Sequence, residues 1–158
     1  MRQLLFILFF LLSTIHAEQL RIVANSFSSD EKSGLTIFKG AVKLRKGADE
    51  LNASKITVYT NAERQPVKYV AQGNVSFSLQ TETKAVYKGH AGKAIFVPAK
   101  KEYHFYQDVM IKQIDEKKEI NGEEVVISTV EGKARAKGAE KKPVIMTFEI
   151  KDTEEKKK

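Results

Sequence analysis

The residues that could perform acid–base or metal chemistry are few in this chain. Of the three histidines, His16 lies in the apolar amino-terminal segment, which leaves His90 and His104. A metal site or a nucleophile–histidine pair needs cysteine, or histidine with carboxylates at a defined spacing, and the sequence has neither pattern. Glu123 and Glu124 are adjacent, so on a strand they point to opposite faces and cannot form a catalytic carboxylate pair. The sequence therefore predicts a protein that is not an enzyme and has no metal and no cofactor.

Basic residues are in excess. The chain has 27 lysines and arginines against 20 acidic residues, and 26 against 20 once Arg2 is set aside with the amino-terminal segment. This surplus favours an anionic partner without saying which one. Nucleic acid is not expected, because an array of stacking aromatic residues and arginines is missing. No nucleotide-binding motif of the Gly-rich, Lys-Ser/Thr type occurs either.

The two ends of the chain have distinct compositions. Arg2 precedes nine apolar residues at 4–12, and residues 13–17 end in alanine, which is the layout of a secretory signal peptide. Nine apolar residues are too few to span a bilayer, which takes about 20. We predict cleavage of residues 1–17, one exported domain at 18–150 and a disordered charged tail at 151–158. An uncleaved inner-membrane anchor is the alternative, and retention of residues 4–12 in the purified protein would indicate it.

The elements between these ends read as strands. Apolar and polar residues alternate with period two in runs rich in Val, Ile, Thr, Phe and Tyr, and turn-forming residues separate the runs. A chain without cysteine must be held by its core and hydrogen bonds, which suits a bacterial periplasm. The pattern predicts an all-β domain of nine strands, at residues 20–27, 35–45, 50–59, 67–79, 90–97, 102–113, 119–128, 132–137 and 144–150.

Two of the long strands change phase partway. The apolar positions pass from Leu35 and Ile37 to Val42 and Leu44 across Gly40, and a similar change follows Ala53 in the next strand. A one-residue slip would expose half of the apolar side chains, so a β-bulge is expected at each change.

An internal repeat gives these bulges a common position. Three segments, FKGAVKL, AQGNVSF and FYQDVMI, align on valines that lie 33 and 34 residues apart, and each is followed by a second matching strand. The apolar positions keep one phase across Gly73-Asn74, so we predict a glycine kink within one long strand rather than a hairpin turn. The third segment has Gln107-Asp108 instead, and its bulge is expected to be weaker or absent.

The stacked repeats predict an elongated, twisted, antiparallel structure. Each strand pair buries little alone, and a row of pairs buries a continuous interior between two facing sheets. The two ends would present strand edges, which most proteins protect from association. Here we expect these edges to bind partners.

At this point the sequence resembles a known family. The unit [Phe/Ala]-x-Gly-[Ala/Asn]-Val-x-[Leu/Phe], followed by Ala-x-Lys-[Ile/Ala]-x-[Val/Phe], is similar to the family of the lipopolysaccharide-transport periplasmic protein LptA with its OstA-like domain. The matching stretches are LTIFKGAVKLRKGADELNASKITVY, YVAQGNVSF, GHAGKAIFVPAKKEYHFYQDVMIKQ and INGEEVVI. They cover nearly all of residues 20–127.

The resemblance implies an open, twisted β-jellyroll that carries lipopolysaccharide across the periplasm. It implies that the acyl chains of lipid A lie between the two sheets while the sugar and phosphate head stays outside. The implied partners are an LptC-like inner-membrane anchor subunit and an LptD-like outer-membrane translocon, joined by end-to-end stacking that includes head-to-tail self-association.

Apolar side chains at the repeat positions would line the implied lipid groove. Each buried CH₂ contributes about 0.8 kcal/mol, so such a groove can hold acyl chains strongly while orienting them loosely. Leu20, Ile22, Phe77 and Phe96 are preferred, because the first strand lies at an open end and the aromatic rings can line a gap. The full predicted set is Leu20, Ile22, Ile37, Leu44, Ile56, Val58, Phe77, Phe96, Val109, Ile111, Val125 and Ile127.

Simpler interpretations stay open for both sets of residues. Alternating apolar residues in a two-sheet protein commonly form only its core. The lysines that could meet phosphate more often solvate the outer face of a strand; they are Lys39, Lys43, Lys46, Lys55, Lys68 and Lys88. Two other functions fit the sequence, namely a membrane-anchored export subunit and a structural periplasmic repeat protein that binds no lipid.

Overall fold

The computed structural model describes residues 18–150, so the predicted signal peptide and charged tail lie outside the described residues. Ten strands make up the fold, with a single turn of 3-10 helix at Pro98–Lys100. The strands are β1 (Leu20–Val23), β2 (Ser26–Asp30), β3 (Leu35–Lys46), β4 (Asp49–Thr60), β5 (Pro66–Gln80), β6 (Val86–Val97), β7 (Glu102–Gln113), β8 (Lys118–Ser128), β9 (Lys133–Lys137) and β10 (Ile145–Phe148).

Two predicted strands differ from the structure by more than two residues at one boundary. The first predicted strand is two strands, because β1 pairs with the carboxyl-terminal part of β3 whereas β2 pairs with its amino-terminal part. Strand β6 begins at Val86 rather than His90, since residues 86–89 pair with β5 and β7 despite their weak alternation.

All ten strands belong to one antiparallel sheet. Its order is β1-β3-β4-β5-β6-β7-β8-β10, while β2 also pairs with β3 and β9 also pairs with β8. From β3 to β8 every strand is hydrogen-bonded to the strand that follows it in the chain. The order confirms the predicted antiparallel stack of strand pairs.

A crease crosses the sheet at the repeated valine segments. In β3, β5 and β7 two residues oppose one residue of the neighbouring strand, and the pairs are Gly40-Ala41, Gly73-Asn74 and Gln107-Asp108. All six residues have positive φ, between 45° and 82°. Bulges bend a strand and increase its twist, so three aligned bulges fold the sheet along one line. The predicted kink at Gly73-Asn74 is therefore confirmed, since β5 continues through it.

The third bulge corrects the expectation that it would be weak or absent. A β-carbon on Gly73 would lie 2.7 Å from Ser54 Oγ of the neighbouring strand, so that bulge needs glycine. At the third bulge Gln107 takes the position of Gly73, and the glycine, Gly92, is on the neighbouring strand β6 in the position of Ser54. A β-carbon on Gly92 would lie 2.8 Å from Gln107 Cβ. The glycine has changed strands, so the close approach is preserved although Gln107 adopts a left-handed backbone (φ 69°).

The crease divides the sheet into two facing halves. The first half-sheet contains β2, β9 and the strand segments 35–39, 55–60, 66–72, 93–97, 102–106 and 124–128. The second half-sheet contains β1, β10 and the segments 42–46, 49–53, 75–80, 86–91, 109–113 and 118–122. Phe77 of the second half stacks on Phe105 of the first, with ring centroids 4.0 Å apart. The core thus lies between two half-sheets, as the predicted jellyroll requires.

The phase change is confirmed in β4 and wrong in β3. In β4 the core side passes from Leu51 and Ala53 to Ile56 and Val58. In β3 the core side has Phe38 and Val42, and Ile37 therefore faces outward. The reason is the number of residues that each strand places at the crease. Strand β3 has two residues there, so its even-numbered residues face the core on both sides. Strand β4 has one, so its core side changes from odd-numbered to even-numbered residues.

Candidate lipid-binding site

An apolar crevice of about 570 Å³ opens along one side of the folded sheet. The second half-sheet contributes Leu44 and Leu51 to its wall, and the first half-sheet contributes Tyr69, Phe96 and Tyr103. The three aromatic rings form a continuous surface, because the Phe96 centroid lies 4.5 Å from that of Tyr103 and 6.0 Å from that of Tyr69. The volume is in the usual range for sites that bury a small ligand.

Two polar contacts bridge the half-sheets at the mouth of the crevice. Tyr103 donates its hydroxyl proton to Asp49 Oδ2 at 3.3 Å. Within the second half-sheet, the Gln80 backbone N–H donates to Asp49 Oδ1 at 2.9 Å and fixes this carboxylate in place. Lys46 Nζ lies 6.0 Å from the centroid of the Phe96 ring. Because Asp49 and Lys46 belong to one half-sheet and Tyr103 and Phe96 to the other, these contacts hold the walls together.

Burial changes the acidity of the bridging groups. It raises the pKa of Asp49 above its ordinary value, although the Gln80 N–H and the Tyr103 hydroxyl act in the opposite direction. It also raises the pKa of Tyr103 far above its ordinary value, and the charge of Asp49 adds to this effect. Tyr103 is therefore a neutral donor at any physiological pH.

The crevice is closed at one end by contacts between turns. Glu82 in the β5–β6 turn donates its backbone N–H to the carbonyl oxygen of Thr129, at 2.8 Å. The Glu82 carboxylate also pairs with Lys101 Nζ at 3.0 Å. These contacts join the two half-sheets at this end of the crevice, whereas Leu20 of β1 and Leu44 of β3 line its open part.

Four of the predicted groove residues line this crevice: Leu20, Leu44, Ile56 and Phe96. A further set is packed in the buried core and has little contact with the open space; it consists of Val58, Phe77, Val109, Ile111, Val125 and Ile127. Ile22 is half-buried against the core. Ile37 lies on the outer face of the sheet, so the structure does not place it with the others.

Sequence reasoning missed several lining residues, most importantly Tyr69 and Tyr103. Both alternate in phase with predicted groove residues of the same strand, Tyr69 with Phe77 and Tyr103 with Val109, so the period-two pattern could have found them. Tyr69 on β5 and Tyr103 on β7 both pair with Phe96 on β6, which lies between them. All three side chains therefore point to the same, inward face.

The histidines are not assembled into a chemical site. His104 Nε2 lies 3.1 Å from Glu102 Oε2 near one end of β7, and His90 is exposed on β6. Within residues 18–150, no group of three or more His, Cys, Asp or Glu side chains is close enough to hold a metal ion.

Comparison with known families supplies the identity of this folded sheet. The family described as LptA/(LptD N-terminal domain) LPS transport protein matches residues 21–133. The chain belongs to this family. A comparison with curated proteins gave no match.

A solved structure of similar fold comes from Pseudomonas aeruginosa. It is LptH, described as the LptA homologous periplasmic component of the conserved lipopolysaccharide transport device. The two structures align with a TM-score of 0.74 and 17% sequence identity, over 84% of this chain and 96% of LptH. At this identity the likeness confirms the predicted LptA-like fold.

This LptA-like sheet has apolar side chains at both ends. Leu20, Val23 and Phe27 are exposed on β1 and β2, and Phe27 retains 70% of its accessible surface although it stacks on Phe38. At the other end the exposed residues are Val144, Ile145, Met146, Phe148 and Ile150. Within the described part of the chain, β1 and β10 each pair on one side only. None of the described residues belongs to a helix that is long and apolar enough to cross a membrane.

Proposed function

We propose that this protein is a non-enzymatic periplasmic carrier of lipopolysaccharide, whose lipid A acyl chains lie in the crevice between the half-sheets. The observation that carries the proposal is an apolar, laterally open crevice in a member of the LPS transport family. The proposed exported form begins at Glu18, after removal of residues 1–17.

The composition of the crevice suits an amphiphile. Its wall consists of Leu, Ile and aromatic side chains, which stabilise acyl chains by about 0.8 kcal/mol for each CH₂ removed from water. The charged side chains that line it include Glu18, Lys46 and Lys84, which are exposed to solvent at its rim. An acyl chain placed inward therefore leaves the phosphorylated sugar head outside the sheet, close to water and to the rim lysines.

The two apolar ends support assembly into a bridge. A strand with one unpaired side can accept a strand from another protein, and exposed apolar residues favour burial there. We propose that β1 and β2 of one copy meet β10 and β9 of the next, and that terminal copies meet LptC-like and LptD-like partners by the same edges.

Site-specific photocrosslinking tests the cargo. A photoreactive amino acid at Phe96, which lines the crevice, should form adducts with lipopolysaccharide in cells. The matched control is Ser78, which is half-buried on the outer face of the second half-sheet and should form none. Equal labelling at both positions, or absence of adducts at Phe96, would contradict the proposed groove.

Depletion of the protein tests the transport role. Newly made lipopolysaccharide should fail to reach the cell surface within a few generations, and surface delivery should return when the wild-type chain is supplied. Unchanged delivery would leave only the structural role.

A further inference from the structure

Four lysines follow the convex side of the crease, and we name Lys39, Lys43, Lys55 and Lys93 the basic ridge. Each is adjacent in sequence to a residue that packs in the core, so each points outward. The inward neighbours are Phe38, Val42, Ile56 and Ala94. Because strands lie about 4.8 Å apart, the ridge extends roughly 14 Å from β3 to β6.

The charges of the basic ridge are unbalanced. Lys39 lies directly opposite Lys55 in the β3–β4 register, and like charges in that position destabilise a sheet. Within residues 18–150, none of the four ammonium groups has a carboxylate within 4.0 Å. At the other end of the crease, in contrast, Asp108 pairs with Lys142 at 3.1 Å. Lys93 has an aromatic neighbour, since its ammonium group lies 5.9 Å from the centroid of the Tyr106 ring. A cluster of lysines that costs folding free energy and has no carboxylate partner within the described fold fits an external anion.

An apolar row accompanies the ridge on the outer face. Ile37, Val70 and Ile95 lie in one cross-strand row of the first half-sheet, next to the row that contains Lys39, Lys55 and Lys93. Ile37 and Ile95 are half-buried, so they present some apolar surface to the outside. Lysines beside apolar side chains are typical of surfaces that meet phospholipid head groups and the upper part of the acyl region.

The ridge cannot reach a lipid held in the crevice, because the folded sheet lies between them. Val42, Ile56 and Ala94 fill the interior directly beneath the ridge lysines. The cargo head group would emerge at the mouth, near Lys46 and Asp49, rather than at the crease. The anion for the ridge must therefore come from outside the proposed cargo site.

We propose that the basic ridge docks the protein on the surface of an anionic phospholipid bilayer. Phosphate groups of the bilayer would replace the missing carboxylate partners of Lys39, Lys43, Lys55 and Lys93. Each lysine near such a surface strengthens binding roughly five-fold, so four together contribute roughly 600-fold. The protein would then lie with its crease against the membrane and its crevice facing away.

Vesicle sedimentation tests this orientation. Residues 18–158 are mixed with vesicles of phosphatidylcholine alone or with about 30% phosphatidylglycerol, so that no lipopolysaccharide is present. Binding is expected only to the anionic vesicles and should weaken strongly between about 0.05 M and about 0.5 M salt. The quadruple variant K39Q/K43Q/K55Q/K93Q should lose roughly 600-fold in affinity.

A charge-matched variant separates the ridge from net charge. K32Q/K88Q/K100Q/K141Q removes the same number of positive charges at exposed lysines, none of which has a carboxylate partner within the described residues, and should retain most of the binding. Equal loss in both variants, or no loss in the ridge variant, overturns the proposal. The melting temperature confirms that each variant is folded, and crosslinking from Phe96 should be unchanged in the ridge variant, which separates this surface from the proposed cargo site.

Discussion

At the scale of single residues, the crease shows how a repeat can keep its geometry while its sequence changes. Gly73 leaves room for Ser54 in the second repeat, whereas Gly92 leaves room for Gln107 in the third. The sequence pattern registered the loss of glycine from β7, but the compensating glycine is on β6. Only the cross-strand register connects them, and for this reason the weak third bulge was a wrong expectation.

A double-mutant cycle at Gly92 and Gln107 tests this exchange. Gly92→Ser should destabilise by about 1–3 kcal/mol through overlap with the Gln107 side chain. Gln107→Gly alone should change stability by less than about 1 kcal/mol, because relief of a left-handed residue offsets the flexibility of glycine. The double variant reproduces the arrangement at Ser54 and Gly73.

The unfolding free energy of the Gly92→Ser/Gln107→Gly double variant, measured in urea, should return to within about 1 kcal/mol of wild type. Additive losses would mean that the two positions do not share one space.

The bridge between Asp49 and Tyr103 predicts a pH dependence. The pKa of Asp49 is raised in the folded state because burial disfavours its charge, so the folded protein binds more protons than the unfolded chain above pH 3.8. The ionisation of Asp49 therefore lowers the stability of the folded protein as pH rises above 3.8. Asp49→Asn should raise the melting temperature at pH 7 relative to wild type, and this gain should shrink or vanish near pH 3.

Asp30 provides the control of opposite sign. The backbone N–H of Lys32 donates to the Asp30 carboxylate and lowers the pKa of Asp30. The stability that this carboxylate contributes is therefore present above pH 3.8 and is lost as pH falls. Asp30→Asn should lower the melting temperature at pH 7 and have little effect near pH 3. The same pH profile for both variants would contradict the assigned causes.

At the scale of elements, strand positions were predictable because alternation is a local property. Strands β3, β4, β5, β7 and β8 begin and end within two residues of the prediction. The break between β1 and β2 was not predictable in the same way, since it occurs where the chain changes from one half-sheet to the other. The inward face of β3 was also misassigned. Whether a strand has one or two residues at the crease depends on how it pairs with its neighbour, and this number decides which side chains face inward.

Removal of one residue from a bulge tests the crease as an element. Deletion of Asn74 from β5 would reverse the direction of Val75, Phe77 and Leu79, which are all buried. We expect loss of the cooperative unfolding transition and accumulation of aggregated protein. Deletion of Glu63, in the exposed β4–β5 turn, should cost less than about 2 kcal/mol.

Circular dichroism and gel filtration compare the two deletions. A folded Asn74 deletion with native stability would show that the extra residue does not determine which side chains are inside.

At the scale of the whole molecule, the two ends decide whether copies associate. Phe148 on β10 and Phe27 on β2 are exposed at opposite ends. Phe148→Asp should weaken end-to-end association by roughly 10-fold to 100-fold, since burial of a phenylalanine contributes about 1.5–3 kcal/mol. Sedimentation velocity over a range of concentrations measures the change, and Val67→Asp, on strand β5 in the middle of the sheet, should have no effect.

Mixing tests the polarity of the stack. Phe27→Asp and Phe148→Asp each retain one intact end. A mixture should therefore form dimers, through the two intact ends, but no assemblies of three or more copies. Long assemblies in the mixture, or dimers in each variant alone, would exclude a head-to-tail contact.

The sequence by itself determined the all-β class, the family resemblance, the threefold repeat and the position of the crease. These follow from alternation and glycine placement within a few residues, which act locally. Only the tertiary structure decided which apolar residues line the open crevice and which fill the core. Folding along the crease sets that division, because it brings Phe77 against Phe105 but leaves Phe96 and Tyr69 facing the gap beside Leu44.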